Sequence, residues 1–271
     1  MIKIFVDSGS SIKSEEIDKY NVEILPLKIF IKDKEYLDGV DLSMDVFYSA
    51  LIEDKVFPKT SLPSLEDAKQ RVENYVQNGY DVIILTISSG ISGTYSALNS
   101  LFENNSKVRV IDSKTAVGGI KILVHEANKY LDKSLDFVEQ KLNQIIPRIK
   151  VLAVPETLDY LHKGGRLSSA KWVVGSILRI KPIIELKHTV KVAGKSIGLK
   201  GAMKFVTDAL KNCDTAYPIV PSYTYDTENL DELISRTAEE YKNVMMEYDN
   251  IDPAVAAHWG PNAFGFIFVE K

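Results

Sequence analysis

Apolar residues along the chain fall into short runs separated by polar turns and by longer stretches with helical spacing. A short apolar run bounded by polar turns is typical of a buried strand. In the first half of the chain this pattern predicts strands at residues 2–6, 22–31, 81–87 and 108–111. The first and third of these strands lead into turns rich in Ser and Gly, which favour loops.

Residues that typically start or end helices occur between these predicted strands. Ser43 and Ser64 stand where a side-chain oxygen can cap the free backbone N–H groups of a helix. The helix after Ser64 has acidic residues in its first turn, where they favour the helix dipole, and Gly79 marks its end near Gln77. Further helices are expected after Gly93, at 116–131 and at 135–146. The alternation of strand and helix predicts an α/β fold, with a parallel sheet covered by helices on both faces.

After Pro147 the predicted segments become shorter and more mixed. We therefore predict two domains, an N-terminal parallel-sheet α/β domain over residues 1–148 and a C-terminal mixed α/β domain over residues 149–271. In the second domain, β-like segments are expected at 150–154, 180–186, 189–193, 195–199, 215–220, 243–248 and 264–269. Helices are expected at 157–162, 203–210 and 228–241.

Composition and charge narrow the range of functions. With 271 residues, of which 45% are hydrophobic and 26% charged, the chain is typical of folded globular proteins rather than of disordered or fibrous ones. The net charge of -4 and the lack of lysine clusters interleaved with aromatic residues argue against a nucleic-acid partner. No segment reaches the ~18 apolar residues that an integral membrane helix needs, which leaves transient membrane contact at most.

Cysteine and histidine usage bears on the compartment and on metals. The single cysteine, Cys213, excludes an internal disulfide and fits a reducing compartment, and the start of the chain does not resemble a signal peptide. These features predict a cytoplasmic location. His125, His162 and His188 lack metal-ligand spacing, and neither the dinucleotide fingerprint nor the P-loop motif occurs. We expect no metal and no cofactor.

Three hydroxyl groups lie at the start of the second helix. Thr60, Ser61 and Ser64 flank a rigid proline at a point where unpaired backbone N–H groups point outward. Such a segment is suited to hold an anion. An ordinary turn with a capping serine would have the same composition.

The loop at residues 88–94 follows a buried strand and leads into a helix, the place where open α/β sheets bind ligands. Gly90 and Gly93 allow the backbone to approach a ligand closely. The helix N-terminus favours negative charge, so Ser92 and its neighbours can hold a carboxylate or phosphate without a basic side chain. A plain loop with a capping serine is the alternative.

The same loop partly matches the nucleophile elbow of α/β-hydrolases. Gly90-Ile91-Ser92 begins Gly-x-Ser-x-Gly, and Asp112 and His258 follow in the order that a Ser-Asp-His triad requires. However, Thr94 replaces the last glycine, Asp112 follows only 20 residues after Ser92, and no His-Gly-Gly-Gly segment precedes the loop. A serine esterase using Ser92 is therefore the weaker interpretation.

Two later segments offer further polar groups. Gly164-Gly165-Arg166 places a guanidinium on a turn, where it can form bidentate contacts with an anion or remain a solvated surface group. His258 directly precedes the last predicted strand, so we expect it at a sheet edge. A lone histidine is more often a packed or surface residue than a ligand contact.

Six segments together resemble the DegV family of bacterial fatty-acid-binding proteins, which includes the binding subunit of fatty acid kinase. The resemblance extends over the whole chain, and six ordered matches are far more specific than any single loop. The matching segments are Ile4-Phe5-Val6-Asp7-Ser8, Thr60-Ser61-Leu62-Pro63-Ser64, Ile87-Ser88-Ser89-Gly90-Ile91-Ser92-Gly93-Thr94-Tyr95, Val110-Ile111-Asp112-Ser113, Gly164-Gly165-Arg166-Leu167-Ser168 and Ile180-Lys181-Pro182-Ile183.

The resemblance implies the two-domain α/β architecture of that family, the EDD fold, with an apolar tunnel for a long-chain fatty acid such as palmitate. It implies that the fatty acid carboxylate is held by Thr60 and Ser92, with Ser61 and His258 nearby. The residues implied to lie around the head group are Arg166, Gly165, Gly93 and Thr94.

The resemblance also implies that the chain is a ligand-binding protein and not itself an enzyme. It would present the fatty acid, for lipid metabolism or transport, to a separate fatty acid kinase subunit that supplies ATP and magnesium. A small-molecule kinase domain related to dihydroxyacetone kinases is a third interpretation. The linear pattern fixes neither the preferred acyl chain nor the oligomeric state.

Three features depart from the family's pattern. Asn262 stands where the last loop of the family commonly has a glycine, although Asn tolerates a positive φ. Residues 194–200 lack the arginine often found there, and Arg179 replaces a small polar residue. Partner recognition or head-group chemistry can therefore differ from that of the family.

Overall fold

The computed structural model describes residues 1–167 and 180–271. Ser168 and Arg179, noted above, lie outside the described residues. The strands of the described part are β1 (Ile2–Asp7), β2 (Val22–Leu25), β3 (Lys28–Ile31), β4 (Lys34–Leu37), β5 (Lys59–Ser61), β6 (Asp81–Thr86), β7 (Val108–Asp112), β8 (Ile149–Val154), β9 (Ile180–Lys187), β10 (Thr189–Ile197), β11 (Val220–Tyr223), β12 (Asp249–Asn250) and β13 (Phe264–Val269).

Helices connect most of these strands, and several short 3₁₀ turns extend them. The α-helices of the described part are α1 (Ile17–Tyr20), α2 (Met44–Tyr48), α3 (Leu65–Gln77), α4 (Thr94–Phe102), α5 (Gly118–Ala127), α6 (Leu135–Ile145), α7 (Asp159–Lys163), α8 (Gly198–Ala209), α9 (Glu228–Ser235), α10 (Glu239–Lys242) and α11 (Pro253–Trp259).

The first sheet has the strand order β2-β1-β6-β7, and all its strands are parallel. Helices α3 and α4 cover one face, where Phe5 and Ile84 pack against Val72 and Leu98. Helices α5 and α6 cover the other face. This arrangement confirms the predicted parallel sheet with helices on both sides. The predicted caps are also confirmed, because Ser64 Oγ accepts a hydrogen bond from a backbone N–H of α3 and Gly79 has φ +86° just beyond its end.

The second sheet is mixed and has the order β10-β9-β8-β13-β11-β12. Most neighbours are antiparallel, and β11 and β12 are parallel. One face packs on α8 and α9 through Phe264, Phe266 and Phe268. The opposite face packs on α5, which lies between the two sheets. The predicted class, a parallel-sheet region followed by a mixed α/β region, is confirmed.

Helix α5 joins the two halves of the molecule. A Cβ atom at Gly118 would lie 2.5 Å from Cγ1 of Val220 on β11, so only glycine allows the helix to approach the second sheet this closely. The largest core cluster contains side chains from both sheets, such as Ile83 and Ile267. The predicted domain boundary at residue 148 lies one residue before β8 and stays a prediction.

The single strand predicted at 22–31 is wrong, because the segment forms two strands in different sheets. Strand β2 pairs with β1, whereas β3 pairs with β4 and β5 in a separate antiparallel sheet. Pro26 lies between them, and it cannot donate a ladder hydrogen bond and fixes its own φ. The short strands β4 and β5 were not predicted.

Several boundaries in the second half also differ from the prediction. The segments 189–193 and 195–199 form one strand, β10, with a register irregularity next to Gly194, and Gly198 already begins α8. The strands predicted at 215–220 and 243–248 are displaced to β11 and β12. The helix predicted at 228–241 is two helices, because Thr237 Oγ1 donates to the carbonyl of Leu233 and the chain turns there.

Candidate functional site

A cavity of about 230 Å³ lies beyond the carboxyl end of β6. Its walls come from both halves of the chain: the residue before β3, the end of β5, the loop after β6, α7 and the turn after it, the β9–β10 hairpin and helix α11. Most of the lining is aliphatic or aromatic. The polar side chains that line it are Thr60, Ser61, Ser92, Arg166 and His258.

Strand β5 and helix α11 bring Thr60 and His258 together across the cavity. Thr60 lies opposite Ile29 in the β3–β5 ladder, and its Oγ1 is 3.2 Å from Nε2 of His258. Ser61 is the next residue of β5 and is exposed at the cavity mouth. The predicted hydroxyl segment is therefore a wall of the cavity.

The loop after β6 supplies the opposite wall. Ser92 Oγ is 2.9 Å from Oγ1 of Thr94 and accepts a hydrogen bond from the Thr94 backbone N–H. Thr94 is fully buried at the start of α4, behind Ser92, and does not line the cavity. Gly93 lines the cavity, and a Cβ atom there would make only an ordinary contact with Leu62.

Helix α11 was missed by the sequence pattern, and the expected sheet-edge position of His258 is wrong. The histidine lies in the last turn of α11, with Asp252 and Pro253 at the start of the helix. A proline at the first helical position after an Asp is a helix-start signal, and it could have revealed this helix. The turn after α11 has Asn262 at φ +58°, the positive φ that the sequence analysis allowed for this residue.

His258 is a neutral group at ordinary pH. Burial, aided by the positive charge of Arg166, lowers the pKa of the imidazole to about 4. Its Nδ1 has no hydrogen-bond partner among the described residues and faces Gly164, whose Cβ position would be only 2.1 Å away. The ring therefore offers hydrogen bonding without charge.

Arg166 is the cation of the site. Its Nε donates to the carbonyl of Ile91 at 3.0 Å, which links the turn after α7 to the Ser92 loop, and Nη1 donates to the carbonyl of Gly164 within the turn itself, so two of its five N–H donors are used by the backbone. Burial lowers the pKa of the guanidinium from its usual value. Gly165 has φ +70° and forms the turn without lining the cavity.

The hydrolase triad is not assembled. The hydroxyl next to His258 is that of Thr60, not Ser92. The carboxylate of Asp112 accepts hydrogen bonds from Ser89 and from the Lys114 backbone, and it has no bond to the histidine. The site has the groups to hold an anion but not the Ser-His-Asp geometry that acyl transfer requires.

Residues from the second half of the chain form walls that the sequence analysis did not assign. Leu186 and Val190 come from the β9–β10 hairpin, and Val255 and Trp259 come from α11. Leu186 and Trp259 also line a second, apolar cavity of about 20 Å³. The two cavities therefore share a wall on the side of the mixed sheet.

Neither a metal-binding cluster nor a membrane-spanning helix occurs among the described residues. Among residues 1–167 and 180–271, no group of three or more His, Cys, Asp or Glu side chains is arranged to hold a metal ion. None of the helices in the described part is both long and apolar enough to cross a membrane.

Fold and site together define an α/β protein with a parallel, a mixed and a small antiparallel sheet, and with a partly apolar cavity whose polar side chains are hydroxyl, imidazole and guanidinium groups. The family model described as "Uncharacterised protein, DegV family" matches residues 1–271. A DegV domain-containing protein of Clostridium acetobutylicum is 32% identical over 285 residues, which cover 100% of this chain and 99% of the relative. The chain belongs to the DegV family.

Solved structures agree with this assignment. A fatty acid binding DegV family protein from Streptococcus agalactiae superimposes with a TM-score of 0.90 at 26% identity, over 100% of this chain and 99% of that chain. A stearic acid-binding protein from Eubacterium ventriosum gives a TM-score of 0.86 at 26% identity, with the same coverage. The arrangement of sheets and helices is therefore the DegV arrangement over the whole length.

Proposed function

We propose that this protein binds a long-chain fatty acid, with the carboxylate at Thr60 and Ser92 and the acyl chain in the adjoining apolar space. The main support is the convergence of Thr60, Ser92, His258 and Arg166 on one cavity whose other walls are largely apolar. The structural relatives described as fatty-acid-binding proteins add independent support.

Each part of the ligand finds a suitable environment in this arrangement. Burial of an alkyl chain gains roughly 0.8 kcal/mol per methylene, so the tail supplies most of the affinity. The carboxylate would accept hydrogen bonds from the two hydroxyl groups, with Ser61 and His258 beside them. Arg166 adds a positive charge at the edge of the cavity, with Gly93 and the Thr94–Ser92 pair shaping the loop around the head group.

We further propose that the bound fatty acid is presented to a separate kinase subunit that carries ATP. Neutral hydroxyls orient a carboxylate while leaving one of its oxygens available to accept a phosphoryl group, whereas a tight bidentate salt bridge would occupy both oxygens. The two backbone contacts of Arg166 direct part of its guanidinium away from such a salt bridge.

The first experiment identifies the ligand. The protein is purified from a bacterial host without detergent, extracted with organic solvent and analysed by mass spectrometry. We expect long-chain fatty acids in roughly stoichiometric amount. A bound polyol phosphate would instead favour the kinase-domain interpretation, and hydrolysis of a chromogenic ester that is lost in Ser92→Ala would favour the esterase.

The second experiment tests the carboxylate site. Thr60→Val and Ser92→Ala remove one hydroxyl each with little change in shape, and Ser235→Ala, an exposed serine of α9, is the matched control. We expect the double variant to bind palmitate at least about a hundredfold more weakly, since each of the two lost hydrogen bonds to a charged group costs about 1.5–3 kcal/mol. Unchanged affinity in the double variant would show that the carboxylate is held elsewhere.

The kinase proposal has its own readout. With an ATP-binding fatty acid kinase subunit and magnesium, the loaded protein should support ATP-dependent formation of an acyl phosphate, which hydroxylamine traps as a hydroxamate. No trapped product from fully loaded protein with an active kinase subunit would contradict presentation, while leaving fatty acid binding intact.

A further inference from the structure

A buried polar network lies directly behind the cavity. Asp7, Ser8 and Asp38 are each 2% exposed or less, and none of them lines the cavity. Ser8 Oγ donates to Oδ2 of Asp38 at 2.7 Å, which joins the turn after β1 to the segment after β4. Buried polar groups without direct ligand contact normally serve the structure around them.

Each member of this network holds the backbone of a cavity wall. Asp7 Oδ2 accepts from the backbone N–H of Ile87 at 2.8 Å, at the start of the loop that carries Ser92. Ser8 Oγ accepts from Leu27 N at 3.0 Å, and Asp38 Oδ1 accepts from Ala254 N at 3.2 Å, in the first turn of α11. The backbone partners Leu27, Ile87 and Ala254 all line the cavity.

Asp38 is the member that connects the two halves of the chain. Its backbone N–H donates to the carbonyl of Leu27 at 2.9 Å, so the residue is fixed to the first half, while its carboxyl group holds α11. Helix α11 has only seven residues, and it carries Ala254 at one end and His258 at the other. A shift at its first turn is therefore transmitted along a short rigid element to the group that contacts Thr60.

We propose that Asp38 is a positioning residue for the carboxylate site, which sets the place of His258 by holding the first turn of α11. This inference rests on the proposed fatty acid binding, and it gives Asp38 the role of supporting the same site. Asp38 touches no ligand in this scheme and acts through the helix alone.

The charges around Asp38 make this support sensitive to pH. Burial, together with the neighbouring carboxylate of Asp252, raises the pKa of Asp38 to about 8. Lys13 forms an ion pair with Asp252 and not with Asp38. The other titratable groups that face this pair are Tyr48 of α2, Lys121 of α5, Glu16 before α1 and Asp249 of β12. Ionisation of Asp38 therefore adds a second negative charge beside Asp252, which Lys13 offsets only in part, and repulsion acts on the start of α11.

Two variants separate the parts of the proposal. Asp38→Asn keeps the shape and an oxygen acceptor for Ala254 N but cannot ionise, and Asp38→Ala removes the contact. Thr237→Val is the control, because it removes a buried hydroxyl between α9 and α10, outside the cavity. Affinity is measured with a fluorescent long-chain fatty acid, and the position of His258 is followed by NMR of its ring nitrogens in ligand-free protein.

We expect the wild-type protein to lose about fivefold in affinity relative to Asp38→Asn between about pH 6 and about pH 9, because only the wild type ionises at this position. Asp38→Ala should bind about tenfold more weakly at both pH values and should move the His258 ring signals, whereas Thr237→Val should do neither. The comparison between variants cancels the pH dependence of the fatty acid itself.

Two results would overturn the proposal. One is unchanged affinity and unchanged His258 signals in Asp38→Ala. The other is the same pH profile for the wild type and Asp38→Asn, which remains informative if Asp38→Ala does not fold. If the wild-type protein binds no fatty acid at any pH, the proposed function fails, and the His258 signals still decide the positioning role.

Discussion

Replacement of His258 by Gln should change how the stability of the protein depends on pH. Glutamine is close to histidine in length and keeps a hydrogen-bonding group near Thr60, but it does not titrate. The comparison therefore isolates the proton that histidine takes up. The folded protein holds the imidazole neutral down to about pH 4, whereas in the unfolded chain it protonates near pH 6.5.

The sign and size follow from this difference. Between pH 6.5 and about 4 the unfolded chain binds more protons at His258 than the folded protein does, so the stability contributed by this group is present above pH 6.5 and lost as the pH falls toward 4. Each factor of ten in proton affinity corresponds to about 1.4 kcal/mol, so His258 contributes at most about 3 kcal/mol to the free energy of unfolding. Asp7 and Asp38 change the stability in the opposite direction. Burial raises their pKa values to about 7 and about 8, so the stability that they contribute at low pH is lost as the pH rises.

The assay is urea unfolding of the wild type and His258→Gln at about pH 7 and about pH 4.5, with the free energy of unfolding compared at each pH. The contributions of Asp7 and Asp38 are common to both proteins and cancel. We expect the wild type to lose about 2 kcal/mol relative to the variant on acidification. His162→Gln, at an exposed position of α7, controls for the substitution itself. A difference between wild type and variant that is the same at both pH values would refute a neutral, buried His258.

Three further outcomes follow from the packing. Gly164→Ala should weaken fatty acid binding in a titration, because the added Cβ would lie 2.1 Å from Nδ1 of His258, and binding equal to that of the wild type would contradict this close approach. Phe266→Ala should lower the free energy of unfolding by about 3–5 kcal/mol in urea, since this ring is fully buried in the core that the mixed sheet forms with α8 and α9. Burial raises the pKa of the Cys213 thiol to about 11, so a disulfide reagent should modify it only after unfolding, and rapid reaction of the native protein would contradict its burial.

Local signals predicted the central strands of the first sheet, β1 and β6, well because these strands are buried on both faces. The segment at 81–87 is apolar almost throughout, as expected of a strand covered on both faces in a parallel sheet. The helix after Ser64 carried both a start and a stop signal, and its observed bounds agree with them. Parallel pairing followed from the intervening helices, since parallel strands need long crossover connections.

The second half was predicted less accurately because its pairings join distant parts of the chain. Strand β13 pairs with β8 and β11, and β12 has only two residues, so no periodic pattern marks it. Pro221 lies inside β11, although a proline normally argues against a strand. Thr237 ends a helix by bonding back to a carbonyl, and this preference is weak in the sequence alone.

The residues of the candidate site also differ in how far the local sequence predicts them. Thr60 and Ser92 could be found because each stands beside a helix start that the local sequence marks. His258 meets Thr60 across 198 positions, and this contact depends on how α11 packs on α7 and β3. Asp7 and Asp38 have no local signature, because the backbone groups that they hold lie in distant loops. Two proteins that share the hydroxyl groups of Thr60 and Ser92 can therefore differ in fatty acid affinity if their buried carboxyl groups differ at Asp7 or Asp38. Substitutions that explain such a difference should be sought behind the cavity as well as on its walls.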